Sequence, residues 1–168
     1  MAAASTEAAP RIARLVEPRF NGGPGNRRSV SRAFSSYARV VTVTVRRLDH
    51  FGIDVADLAR AERFYTDVLG MSVQMRLPDQ VLMQYAGGAC ALFLKPDRTR
   101  GTLDQITNPL GKSHHAFEVT GEDLETAREM FAERGIPHHP PIDWGDHDCV
   151  YFLDPDGNLL EIVAYKRR

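Results

Sequence analysis

Apolar and polar residues alternate first with the period of a strand and then with the period of a helix, and this order occurs twice. The first occurrence begins with a strand predicted at Arg47–Val55, followed by a helix between Asp57 and Gly70. Asp is a favoured helix N-cap and Gly a favoured residue just past the C-terminus. Six apolar residues at helical spacing support the helix: Leu58, Ala61, Phe64, Tyr65, Val68 and Leu69. Three strands follow, separated by turn residues, at Met71–Leu77, Val81–Tyr85 and Ala89–Leu94.

The second occurrence has the same order. A strand at Lys112–Val119 precedes a helix from about Glu122 to Arg134, which Thr120 caps and Gly135 closes. Further strands are predicted near His138, at Cys149–Leu153 and at Leu159–Tyr165. The pattern predicts an α+β fold of two βαβββ modules, residues 46–95 and 112–166 with a connector at 96–111, whose curled mixed sheets surround a shared metal cleft.

Composition narrows the class of protein. The net charge of the 168 residues is -1, and 43% are hydrophobic, enough for a packed core. Cys90 and Cys149 each lie in an apolar run without a CxxC pair, which favours buried reduced thiols. No apolar run approaches the roughly 20 residues of a membrane span. We therefore expect a soluble protein that binds neither membrane nor nucleic acid.

The first 45 residues differ from the rest. Residues 1–40 hold seven of the 21 basic residues but only two of the 22 acidic ones, so the body that follows is mildly acidic. We predict a disordered Arg- and Ser-rich tail over residues 1–45, because this composition cannot bury enough apolar surface. A cytoplasmic location is expected. The alternative is mitochondrial, with residues 1–40 as a cleaved leader and Arg32-Ala-Phe-Ser-Ser36 near the cut.

Three residues are candidate metal ligands. His50 and His115 each lie 20 residues before the glycine that closes the following helix, so they occupy matching places in the two modules. Glu161 lies in the last strand. Two imidazoles and one carboxylate suit one divalent ion of Fe, Mn, Zn, Co or Ni, with coordination positions left open.

Three segments carry a resemblance to a known family. They are Phe64-Tyr-Thr-Asp-Val-Leu-Gly-Met71, His115-Ala-Phe-Glu-Val119 and Tyr151-Phe-Leu-Asp-Pro-Asp-Gly-Asn-Leu-Leu-Glu161. The Asp-Pro-Asp-Gly-Asn turn in the last segment sets the phase of the strand that carries Glu161. Over about residues 46–166 the chain resembles the vicinal oxygen chelate superfamily, which includes glyoxalase I, fosfomycin-resistance enzymes, extradiol dioxygenases and bleomycin-resistance proteins.

The resemblance implies a function. It assigns His50, His115 and Glu161 to the metal and no residue to an organic cofactor. Tyr151, ten residues before Glu161, matches a tyrosine of the dioxygenases, and His147, His138 or His139 would supply their acid–base histidine. The implied protein is an enzyme on a small oxygen-rich substrate, with glyoxalase-like lyase or isomerase chemistry or ring cleavage by dioxygen. Relatives commonly form homodimers, sometimes by exchanging modules.

Two departures from the family pattern argue against the reactions of glyoxalase I and of the fosfomycin-modifying enzymes. Matching Gly88 with Gly157 puts Leu92 at the position of Glu161, where glyoxalase I has a fourth metal ligand. Gly52 stands where fosfomycin-modifying enzymes have a threonine. A non-catalytic binding protein of the bleomycin-resistance type is the alternative to an enzyme.

Other polar or aromatic residues carry weaker expectations. His114 alternates with His115, so strand periodicity predicts that it faces away from the metal. Arg98 and Arg100 are expected to be solvated on the connector. Trp144 either lines the substrate pocket or covers the core.

Overall fold

The chain folds into two successive β-α-β-β-β units, seen in a computed structural model that describes residues 43–166. The predicted α+β class with two such modules is confirmed. Apart from residues 43–45, the predicted tail and leader lie outside the described residues. The first module contains β1 (His50–Val55), α1 (Leu58–Leu69), β2 (Ser72–Leu77), β3 (Gln80–Tyr85) and β4 (Gly88–Leu94). After α2 (Asp104–Thr107), the second contains β5 (His115–Glu118), α3 (Gly121–Glu133), β6 (Ile142–Asp143), β7 (His147–Leu153) and β8 (Leu159–Tyr165).

Each module forms one four-stranded mixed sheet. The strand order is β1-β4-β3-β2 in sheet one and β5-β8-β7-β6 in sheet two. In both, the first strand pairs in parallel with the last, and the other pairings are antiparallel. The sheets do not close into a barrel, so β1 and β5 are edge strands.

Side chains at the helix ends explain why the helices lie where the sequence predicts. The Asp57 carboxylate accepts a hydrogen bond from Arg60 N at 3.0 Å, which caps α1. Gly70 ends that helix with a φ of 63°, a left-handed conformation in which glycine is free of steric strain. Thr120 Oγ1 accepts from Asp123 N at 3.1 Å and caps α3 in the same way.

The helix-facing sides of both sheets share one hydrophobic core. Tyr65 of α1 and Phe131 of α3 are fully buried in it, and Phe131 stacks on Phe152 of β7 with ring centroids 4.7 Å apart. Phe64 of α1 also approaches Phe152, at 6.5 Å. The two modules are therefore joined through their cores, which fixes sheet one against sheet two.

The opposite side of each sheet is covered by neither α1 nor α3 and is called here the helix-free face. It carries the alternate residues of every strand. In sheet two it includes Cys149 and Tyr151 of β7 and Glu161 of β8, and Ile106 of α2 packs against it. The connector thus covers part of this face.

Three predicted strands differ clearly from the structure. The first begins at His50 rather than Arg47, and the strand predicted at Lys112–Val119 spans only His115–Glu118. The strand expected near His138 is reduced to a single bridge between His138 and Phe152. Pro140 and Pro141 lack the N–H groups that a continued ladder requires. None of the helices formed by residues 43–166 is long and apolar enough to cross a membrane.

Candidate metal-binding site

Glu161 is a buried carboxylate at the centre of sheet two. It is only 7% exposed, and its neighbours Leu160 and Ile162 point into the shared core. Glu161 therefore faces the helix-free side, as the turn before β8 predicts. Its Oε2 lies 2.8 Å from Nε2 of His114, the residue just before β5.

The hydrogen bond made by Nδ1 of His114 determines whether Nε2 donates or accepts in the neutral ring. Nδ1 lies 2.7 Å from the carbonyl oxygen of Lys112, which can only accept a hydrogen bond, so Nδ1 must carry a proton. In the neutral ring Nε2 then bears a lone pair that points at a carboxylate oxygen. Two acceptors at 2.8 Å repel each other unless a proton lies between them or a cation binds to both from the side. A histidine held by a backbone carbonyl and aimed at a carboxylate fits a metal-ligand pair.

Tyr151 and Cys149 surround the same carboxylate. Tyr151 lies opposite Glu161 in the β7–β8 ladder, and its ring meets the His114 ring edge-on at 5.1 Å. Burial, followed by the charge of Glu161, raises the pKa of the Tyr151 phenol to about 12. Burial, followed by the neighbouring Glu161, likewise raises the pKa of the Cys149 thiol to about 12. Both groups keep their protons at neutral pH and can donate to Glu161.

His115 has different surroundings. Its ring stacks on Phe51 of β1, with centroids 4.3 Å apart and planes 22° apart, and burial lowers its pKa, with a smaller effect of His114 in the same direction. We predicted that His115 faces Glu161 and His114 faces away. The structure places them the other way round.

The error comes from a one-residue difference in spacing. Gly70 follows His50 by 20 residues, whereas Gly135 follows His114 by 21, so aligning the closing glycines pairs His50 with His115. The ladders give the true counterparts, because Gly52 lies opposite Ala91 and Ala116 lies opposite Glu161. His114 precedes Ala116 by two residues, as His50 precedes Gly52.

The same ladders replace Leu92 as the counterpart of Glu161. Leu92 is fully buried in the shared core, whereas Ala91 is on the helix-free face. Alanine has no donor atom in its side chain. We therefore still predict no fourth metal ligand from the first module, but the residue at that position is Ala91 rather than Leu92.

His50 begins β1 on the helix-free face of sheet one. Its side chain is 55% exposed, and Nδ1 lies 3.0 Å from Asp49 Oδ1. It lines a cavity of about 310 Å³ with Gln74, Gln84 and Ala89. Within residues 43–166, no three His, Cys, Asp or Glu side chains are close enough together to hold a metal ion. The predicted set of His50, His115 and Glu161 is thus not assembled within one chain.

His147 lies away from the Glu161 cluster. It pairs with Tyr165, four residues beyond Glu161 on β8, which is roughly 13 Å along the strand. Its Nδ1 lies 2.7 Å from Asp146 Oδ1. A general base must lie within hydrogen-bond reach of its proton, directly or through one water. The geometry therefore favours Tyr151 over His147 at the reacting atoms.

The turn before β8 is held by buried hydrogen bonds. Asp154 accepts from the backbone N–H groups of Asp156 and Asn158 at 2.9 and 2.8 Å, and from the Tyr65 hydroxyl at 3.1 Å. Burial raises the pKa of Asp154, while its hydrogen bonds act against that rise. Because Tyr65 is on α1, the first module helps to set the phase of the strand that carries Glu161.

Arg98 was expected to be solvated, and this is wrong. It donates to the carbonyl of Asp156 at 3.2 Å and to Asn158 Oδ1 at 2.9 Å. With Gly52, Gln105 and His114 it lines a cavity of about 540 Å³ between the modules. No pattern in the sequence identifies Arg98 as part of the site. Cys149 could have been predicted beside Glu161, because it lies two residues from Tyr151 in the same strand and so on the same face.

Comparison with known proteins identifies the family. The model of the glyoxalase/bleomycin resistance protein/dioxygenase superfamily matches residues 47–162, which include His50, His114 and Glu161. The chain belongs to this superfamily.

Two curated relatives are at least 30% identical to this chain. Metapyrocatechase 2 of Cupriavidus necator is 31% identical over 119 residues, covering 70% of this chain and 33% of the relative. Biphenyl-2,3-diol 1,2-dioxygenase 3 of Rhodococcus globerulus is 30% identical over 125 residues, covering 73% of this chain and 64% of the relative. The chain thus spans a third of one relative and just under two thirds of the other.

Solved structures support the fold. A glyoxalase/dioxygenase from Nostoc punctiforme superposes with a TM-score of 0.62 at 22% identity, covering 77% of this chain and all of that one. At low identity, the proteins similar to this chain also include a glutathione transferase, a metallothiol transferase and a lactoylglutathione lyase.

Proposed function

We propose that the chain is a divalent-metal-dependent enzyme that acts on a small substrate with two neighbouring oxygen atoms. The observation that carries this proposal is the approach of His114 Nε2 to Glu161 Oε2 at 2.8 Å. The opposite nitrogen of His114 is held by a carbonyl, so a cation bound to both groups would relieve their repulsion.

We further propose that the site is completed by a second copy of the chain. His114 and Glu161 would come from one copy and His50 from the other, in place of the predicted His115. Support comes from the exposed ring of His50 on an edge strand and from the lack of a three-ligand group within residues 43–166 of one chain. The family resemblance independently implies dimers.

Two histidines and one glutamate suit Fe, Mn, Zn, Co or Ni. The bound ion would act as a Lewis acid toward the two substrate oxygens. Tyr151 remains protonated at neutral pH, because its pKa is raised to about 12, and it can donate a hydrogen bond to a substrate oxygen beside Glu161. Cys149 and Tyr151 orient the Glu161 carboxylate.

Ring-diol cleavage is the reaction that we propose first. It is supported by the names of the two relatives that are at least 30% identical, and by Tyr151 ten residues before Glu161. Glyoxalase-like lyase or isomerase chemistry is second, because Ala91 cannot act as the fourth ligand of glyoxalase I.

The test combines metal content with two activities. Protein purified without chelators is analysed for transition metals. Oxygen uptake with catechol is then measured beside turnover of a glutathione hemithioacetal. We expect bound metal and oxygen uptake. Absence of metal, with no thermal shift on adding Mn(II), Fe(II), Zn(II) or Ni(II), would overturn the enzyme proposal and favour a binding protein.

A further inference from the structure

A glutamine lies beside His50 on the helix-free face of sheet one. Ala89 of β4 pairs with His50 on one side and with Gln84 of β3 on the other, so the three side chains point to the same face. Neighbouring strands are about 4.8 Å apart, which separates the backbones of His50 and Gln84 by roughly 10 Å. Because the alanine side chain is short, a ligand that lies over Ala89 is within reach of both residues.

A second glutamine reaches the same place through an irregularity of the edge strand. The ladder between β2 and β3 shifts register between Val73 and Met75, so Gln74 is the extra residue of a β-bulge. A bulge redirects the side chain that it carries, and bulges are frequent beside active sites. Gln74 lines the cavity of about 310 Å³ together with His50 and Gln84. The bulge therefore brings a second carboxamide to the cavity that His50 borders.

The charged groups in the lining of this cavity are paired with one another. Asp49 Oδ2 lies 3.5 Å from Nη2 of Arg47, and Asp49 Oδ1 lies 3.0 Å from Nδ1 of His50. The described residues that line the cavity thus carry no net charge when His50 is neutral. Since Nδ1 of His50 is engaged by Asp49, Nε2 is the ring nitrogen that is left for a metal.

Two carboxamides in a neutral cavity select for hydrogen bonding without charge. Each amide offers two N–H donors and one acceptor oxygen. An apolar group would displace water from the amides and leave them without partners, which is costly. For an anion, the attraction of Arg47 is offset by the repulsion of Asp49. A hydroxyl, carbonyl or amide group therefore fits this surface best.

We infer that Gln74 and Gln84 hydrogen-bond an uncharged polar substituent of the substrate, while its two neighbouring oxygens bind the metal of the site that includes His50. This inference rests on the proposed function and gives it a substrate class: vicinal oxygen compounds with a further hydroxyl, carbonyl or amide group. In this assignment the two glutamines determine specificity, and neither takes part in the bond-breaking step.

Catechols that differ in one substituent test the inference. The compounds 4-(hydroxymethyl)catechol, 4-ethylcatechol and 3,4-dihydroxybenzoate carry a neutral polar, an apolar and an anionic group of similar size, and their 3-substituted isomers form a second set. Calorimetry under argon, with the full chain and added Mn(II), measures each Kd. In at least one set we expect the hydroxymethyl compound to bind roughly three- to tenfold more tightly than the other two. Equal or weaker binding of the hydroxymethyl compound in both sets would overturn the inference.

Exchange of each amide for an apolar residue of similar size locates the effect. Gln74→Leu and Gln84→Leu should each reduce the preference for hydroxymethyl over ethyl, and the double variant should abolish it. Gln80→Leu is the matched control, because Gln80 lies on the same face of the same strand but pairs with Phe93 and does not line the cavity. Because the two ligands are compared within each variant, their different hydration cancels. A preference that survives in the double variant, or that Gln80→Leu reduces equally, would contradict the assignment.

Glu161→Gln separates this inference from the proposed function. If both hold, Glu161→Gln weakens all the compounds and preserves the preference for hydroxymethyl. If it changes no Kd while the glutamine variants still abolish the preference, the polar subsite stands and the metal chemistry fails. If it weakens all the compounds while the glutamine variants leave the preference unchanged, the metal chemistry stands and the polar subsite fails. Binding of none of the compounds would overturn both.

Discussion

The two modules share an architecture but differ on their helix-free faces. In each module a histidine, His50 or His114, comes two residues before the residue that pairs with Ala91 or Glu161. Both modules also bury their helix-facing side in one core. Three pairs of counterparts show the difference: His50 and His114, Ala91 and Glu161, and Leu82 and Tyr151.

Only the second module places a buried carboxylate beside its histidine. The first leaves His50 about half exposed next to Ala91 and Leu82, whereas the second partners Glu161 with His114, Tyr151 and Cys149. Burying a carboxylate without partners is costly. The repeat therefore preserves the core that makes the fold, while the chemistry is divided unequally between its halves.

The largest effect is expected from removing the second module's polar pair. His114→Ala and Glu161→Ala should each weaken metal binding at least about 100-fold, more than the usual loss of an outer hydrogen-bond partner. His115→Phe is the matched control, because its counterpart Phe51 is already phenylalanine and stacking is retained. Calorimetric titration with Mn(II) measures all three. Loss of metal in His115→Phe, with normal binding in His114→Ala, would restore the assignment made from sequence.

The two modules also differ at the turn before their last strand. The connector covers the turn before β8, where Arg98 and the Gly101 N–H donate to the carbonyl oxygen of Asp156, but it does not cover the turn before β4. A Cβ on Gly101 would clash with the carbonyl oxygen of Gly157, so Gly101→Ala should lower the free energy of unfolding by about 2–3 kcal/mol. Gly121→Ala meets no atom within 4 Å and should be neutral or slightly stabilising. Urea denaturation compares them, and equal stabilities would show that the connector does not clamp this turn.

The smallest effect is expected from the titration of the Tyr151 phenol, because its counterpart in the first module, Leu82, has no group that titrates. Tyr151 has a pKa of about 12 when folded against a usual 10, so between these values the folded state keeps a proton that the unfolded state loses. Stability is therefore full below pH 10 and falls as pH rises toward 12. Tyr151→Phe should remove this part of the alkaline loss and the matching phenolate absorbance. An unchanged absorbance titration would contradict a buried, protonated Tyr151.

The sequence predicts the fold better than the site. Asp57, Gly70 and Thr120 define helix ends through local hydrogen bonds and backbone conformation, which short-range sequence determines. The choice between His114 and His115 depends on strand register, and one additional residue between His114 and Gly135 reverses it. Arg98 is beyond such reasoning, because its partners lie about 60 residues away in the turn before β8.

The central claim is that His50 of one copy joins His114 and Glu161 of another, and co-expression of two defective chains tests it directly. His50→Ala and Glu161→Ala are produced separately and together in differently tagged forms, and metal per chain is measured. Each variant alone should be nearly metal-free. Random pairing in a two-fold dimer gives half mixed dimers with one intact site of two, so the co-expressed sample should regain about a quarter of the wild-type metal. A co-expressed sample as empty as its parents, or metal retained by either variant alone, would contradict a site shared between copies.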